Sequence, residues 1–142
     1  MNNTPNIRYV LLAPQSEKFR PLQELIANDL KRSGIEPLVL EEALTPGTTI
    51  PGAMQQAIER SDFIIADLTG NSPNVMYEVG FAQALRKPVL PIVQEGVGHV
   101  LPEFGSSLYL VYDPSKPNEL LRNIHAWVSR YFSEEKRRTE IA

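Results

Sequence analysis

Apolar positions along the chain switch repeatedly between two periods, and each switch marks an element boundary. Residues 7–13 (IRYVLLA) make a short apolar run that stops at Pro14 and reads as a buried strand. Phe19, Leu22, Ile26 and Leu30, with Leu25 beside them, then recur at helical spacing, and Gly34 supplies the stop. Residues 37–40 predict a second strand. A polar Gly/Thr/Pro stretch, 42–49, separates it from a shorter helix carrying Ile50, Met54, Ala57 and Ile58, with Pro51 where a first helical turn tolerates it.

Residues 62–68 (DFIIADL) predict the third strand and 69–73 a turn, after which Val75, Val79, Ala82 and Leu85 mark a third helix that closes before Pro88. Residues 89–93 and 108–112 read as strands four and five. The intervening stretch has no clear period. Leu120, Ile124, Trp127 and Tyr131, flanked by Leu121 and Val128, predict a last helix in which Trp127 and Tyr131 are core residues. From Glu134 the chain is charged, including Lys136-Arg137-Arg138, and is expected to fray.

Five short strands alternating with helices, several apolar on both faces, imply an α/β fold with a parallel sheet covered on both sides. A flavodoxin-like doubly wound five-stranded sheet follows. Pro91 conflicts with it, because a proline inside strand four lacks one ladder N–H; a bulge or an unpaired side is expected there.

At 142 residues, the chain suits one domain spanning 1–142 with a charged tail from about 134. The formal net charge of -3 offers no field to draw in duplex nucleic acid. Zero cysteines exclude a disulfide framework and a thiolate zinc site, and His99 and His125 are too isolated for a metal cluster. His125 lies off the apolar face and reads as solvated, whereas His99 falls in a crevice loop. Residues 1–6 lack the basic-then-apolar order of a signal peptide, and no apolar run approaches the roughly 20 residues that span a bilayer. A cytoplasmic protein without a membrane partner is expected. Gly47, Gly52, Gly96 and Gly98 fit no phosphate-loop pattern.

In open parallel sheets the ligand crevice lies beyond the carboxyl ends of the strands. The loop after strand three is the most informative: Asp67 ends the strand, and Asn71, Ser72, Pro73 and Asn74 lead to Tyr77-Glu78-Val79-Gly80. Glu78 lies one helical turn after Asn74, on a face that borders the apolar one, so a half-desolvated carboxylate at the crevice is expected. An exposed Glu in the first turn, complementing the helix dipole, is the plainer alternative. An aspartate at this strand end also suits a phosphoacceptor, but that site needs an acidic pair after strand one and a lysine after strand five. The chain has Pro14-Gln15 and Asp113-Pro114 there.

The stretch IADLTGNSPNVMYEVGFAQALRKPVLPIV (65–93) resembles the central segment of the nucleoside 2-deoxyribosyltransferase-like and TIR-like superfamily. YVLLAPQSEKF (9–19) is similar to the first strand and loop of its nucleotide-binding branch, with Ala13-Pro14-Gln15 in place of Met-Pro-Phe and Arg86 where Gly is usual. The resemblance implies that Glu78 is the carboxylate that attacks or stabilises the anomeric carbon as an N-glycosidic bond breaks, with Asp67 as a second catalytic acid. Asn74 matches the loop asparagine near the sugar, and Gln15, Ser16 and Asn71 complete the expected substrate contacts. It further implies a nucleoside, nucleotide or NAD substrate, no cofactor, and a homo-oligomer. A non-catalytic nucleotide sensor or TIR-like interaction module is the alternative.

Overall fold

The central strand carries no polar side until its last residue, because it is covered from both directions. The computed structural model describes residues 6–38, 46–47, 49–96 and 109–141, with the backbone alone for Ile50 and 134–141. β1 (Ile7–Leu12), β2 (Ile35–Pro37), β3 (Phe63–Asp67), β4 (Val89–Gln94) and β5 (Leu110–Tyr112) form one parallel sheet in the order β2-β1-β3-β4-β5. This is the doubly wound flavodoxin-like order expected from the alternating pattern, with its switch point between β1 and β3.

Successive side chains of β3 alternate between two cores. Phe63 and Ile65 pack with Tyr9, Ile92 and Tyr112 under α1 (Arg20–Lys31) and the last helix. Ile64 and Ala66 face the opposite core, beneath α2 (Ile50–Arg60) and α3 (Pro73–Ala84), where Ile58, Val75 and Val79 meet them. Trp127 stacks on Tyr131 at 5.5 Å and reaches Phe63 at 5.7 Å; Trp127 packs half-buried against the core and Tyr131 stacks on its outer side, so the pair borders the core rather than filling it.

Local punctuation follows the residues. Gly34 ends α1 at φ +78, a conformation in which a Cβ is strained. Thr49 caps α2 by accepting from the Gly52 N–H at 3.1 Å, and Pro51 sits in the first turn. Arg86 follows α3 at φ +59, with its N–H on Gln83 and the Lys87 N–H on Ala82, which is a Schellman closure built without glycine.

Pro91 is paired in continuous register with Ala66, so no bulge forms. Leu68 N–H donates to Ile92 O and Ile64 N–H to Pro88 O. The even positions of β4 therefore bond toward β3, and the nitrogen of Pro91 faces the β5 side, where the register among the described residues runs from Ile92. The missing donor therefore costs no bond in the β3–β4 ladder.

Three expectations need correction. The second strand begins at Ile35, two residues earlier than the apolar run suggests, and Val39 and Leu40 lie outside the described residues. The last helix, α4 (Pro117–Ile141), continues through the charged tail, since Glu, Lys and Arg are good helix formers and no Gly or Pro interrupts it. His125 is half-buried and paired rather than free in solvent: its Nε2 lies 2.6 Å from Asp29 Oδ2, tying α4 to α1. The loop reading for 97–107 and His99 falls outside the described residues.

Candidate functional site

At the switch point the chain leaves β1, turns at Pro14 and enters α1 through a short 3₁₀ turn (Glu17–Phe19). Ser16 shapes this turn, its hydroxyl oxygen accepting from the Lys18 N–H at 3.3 Å. α2 and α3 stand on the other side. Between them lies a cavity of about 600 Å³ whose polar lining includes Gln15, Ser16, Glu17, Arg20, Asn74 and Glu78. A second cavity of about 170 Å³ adjoins it, sharing Gln15, Met54, Asn74 and Glu78 and adding mainly apolar walls.

Glu78 occupies the junction. Val75 and Val79, on either side of it along α3, are buried in the core, which turns the Glu78 carboxylate to the rim rather than to bulk solvent. Burial raises its pKa above the usual value of 4.5, and no hydrogen bond or ion pair to another described residue offsets that cost. An acid held half-desolvated and uncommitted is what a reaction through a developing cation uses.

Four of the six expected site residues, Glu78, Asn74, Gln15 and Ser16, come together on this cavity. Asp67 and Asn71 line neither cavity. Asp67 is 3% exposed; its Oδ1 accepts from the Thr69 N–H at 3.0 Å and the Thr69 hydroxyl at 2.6 Å, and its Oδ2 accepts from the Tyr112 phenol at 2.7 Å. The Thr69 oxygen accepts in turn from Gln94 N–H at 2.9 Å, so the ends of β3, β4 and β5 are fastened together. Asn71 lies in the following 3₁₀ turn (Thr69–Asn71) at φ +52, with its N–H on Leu68 O.

The sequence reading missed Arg20, Met54, Gln55 and Tyr77. Arg20 had a signal: it opens the helix after β1, and that helix end sits over the carboxyl end of its strand. In the structure it bridges Glu17 at 3.3 Å and lines the larger cavity. Met54 reads as core from its period, yet it is half-buried and lines both cavities. Among the described residues no three metal-ligating side chains cluster, and no helix is long and apolar enough to cross a membrane.

A parallel sheet of this order, with an acid at its switch-point crevice, defines the class of small flavodoxin-like α/β domains. The chain belongs to the TIR domain family, whose model matches residues 14–124. No curated protein sequence matches it. Among solved structures, the TIR domain of a Toll-related receptor from Hydra magnipapillata superposes with TM-score 0.67 at 18% identity, covering 85% of this chain and 97% of that one. A CMP N-glycosidase from Clostridium botulinum gives 0.61 at 21% identity, with 83% and 98% covered. A 2-deoxyribosyltransferase from Bacillus psychrosaccharolyticus gives 0.58 at 16% identity, with 80% and 90% covered. These likenesses establish the shared fold.

Proposed function

We propose that this TIR domain breaks the N-glycosidic bond of a nucleoside, nucleotide or NAD-type substrate, using Glu78 as the carboxylate at the anomeric carbon. The observation that carries the reading is an uncommitted, burial-raised carboxylate at the junction of two adjoining cavities. The N-glycosidase and deoxyribosyltransferase among its structural neighbours are in keeping with it.

The steps balance without a cofactor. A Glu78 oxygen bonds to C1′ as the C1′–N bond breaks, the electron pair leaving on the base nitrogen; a nucleoside base then takes a proton from solvent, whereas the pyridinium of an NAD-type substrate leaves neutral without one. Water then attacks C1′ and releases the Glu78 carboxylate, its proton passing to solvent. A second base in place of water would give base transfer. Gln15, Ser16 and Asn74 hold the sugar hydroxyls, and Arg20, with a fixed cationic fork, suits a phosphate on the substrate's polar half. Asp67 serves here by fastening the loop that launches α3, and Asn71 shapes the same loop. Self-association, implied by the resemblance, belongs to this proposal and is read by sedimentation.

The test is incubation of the full chain with NAD, nucleosides and nucleoside monophosphates, followed by chromatography. Free base appearing with one substrate class supports the reading. Intact ligand bound after long incubation with stoichiometric protein favours the nucleotide sensor, and no ligand at all favours an interaction module.

A further inference from the structure

We infer that the smaller cavity seats the leaving nucleobase and that Gln55 determines which base is accepted. The inference rests on the N-glycosidic reading of Glu78 and deepens it.

The two cavities differ in chemistry on either side of one carboxylate. The larger is lined by Ser16, Glu17, Arg20 and Gln23, groups that suit hydroxyls and charge. The smaller is walled by Pro51, Met54, Ile58 and Phe81, with Gln55 and Tyr77 as its added polar groups. At about 170 Å³ it falls below the roughly 300 to 1,000 Å³ of a site for a whole drug-sized ligand, so it takes one fragment of a larger molecule. A flat heteroaromatic ring is the fragment that wants apolar walls and a thioether against its faces together with a polar partner at its edge. The bond joining that ring to a polar sugar then crosses the junction, beside Glu78.

Gln55 supplies the edge partner. Its Nε2 donates to the Tyr77 hydroxyl at 3.3 Å, which holds the amide against α3 and leaves Oε1 and a second N–H for another group. An amide offers an adjacent donor and acceptor, the pairing by which glutamine reads a base edge with two hydrogen bonds. Tyr77 is 63% exposed, so it closes the outer wall of the compartment rather than its floor.

The experiment separates this inference from the cleavage reading. Cytosine, uracil, adenine and hypoxanthine, and separately ribose 5-phosphate, are titrated into the full chain with methyl groups followed by NMR. Ile58 lines the smaller cavity alone and Leu11 the larger alone, so their methyls report the two compartments. The expected result is that at least one base moves the Ile58 methyls while ribose 5-phosphate moves those of Leu11. Gln55→Leu and Gln55→Glu should each change the affinity ratio between the tightest and weakest base by about ten-fold. Bases that move only Leu11, bases that move neither reporter, or a ratio unchanged in both variants would overturn the inference, even in a protein that cleaves nucleosides. Base binding at Ile58 with the expected ratio change, in a protein that cleaves nothing, would uphold the subsite and remove the cleavage reading alone.

Discussion

The phenol of Tyr112 donates to Oδ2 of Asp67 at 2.7 Å, joining residues 45 positions apart at the carboxyl ends of β5 and β3. Burial first, and then the Asp67 carboxylate, pushes the phenol above its ordinary pKa, so it remains a donor across the range in which the protein is used. The acid that ends β3 is thereby hydrogen-bonded into the sheet, whereas Glu78, on the following helix, lines the cavity with no such partner among the described residues.

Removing this donor should destabilise the fold. Tyr112→Phe leaves a buried carboxylate oxygen without its partner, a loss of about 1 to 3 kcal/mol. Urea denaturation with an unchanged m-value and a lower midpoint is the expected outcome.

Arg86 stands at φ +59 in the closure of α3, where glycine carries no Cβ penalty. Arg86→Gly is therefore expected to raise stability by about 1 kcal/mol, in a thermal melt that shifts upward.

The ammonium of Lys87 donates at 2.9 Å to both Glu59 O and Ser61 O, at the carboxyl end of α2. It satisfies two carbonyls and opposes the negative end of the helix dipole. Lys87→Met should cost about 1 to 2 kcal/mol. The same variant should loosen the carboxyl-terminal turn of α2, read as faster amide exchange over residues 57–60.

Much of the fold is legible because β3 is apolar at consecutive positions and α3 carries Val75, Val79 and Ala82 at helical spacing. Glu78 and Asn74 are legible for the same reason: their phase on the helix follows from that of the core residues. The fastening of Asp67 is not, since Tyr112 lies 45 residues away and local sequence gives no sign of the pairing. His125 and Asp29, 96 positions apart, are hidden for the same reason. The second cavity is hidden differently. Met54 and Phe81 fit a core period, and only the packing of α2 against α3 shows that the two leave a space between them.

Protonation of Glu78 gives a pair of opposed pH effects. Because burial raises its pKa in the folded state, the folded chain holds that proton more tightly than the unfolded chain. The stability it contributes is fully present below the unfolded pKa and is lost as pH rises through the folded pKa. Glu78→Gln should hold or raise Tm at pH 7, and the difference between parent and variant should shrink toward pH 4. Turnover runs the other way, since only the carboxylate attacks: the acid limb of kcat/KM should lie above the usual 4.5.

The most direct measurement compares base release by the parent chain and by Glu78→Gln under single-turnover conditions, on whichever substrate the parent cleaves. A nucleophilic Glu78 predicts a loss on the order of 10³-fold or more, with a Tm no lower than that of the parent. Base release at the parent rate by a folded Glu78→Gln protein would contradict it.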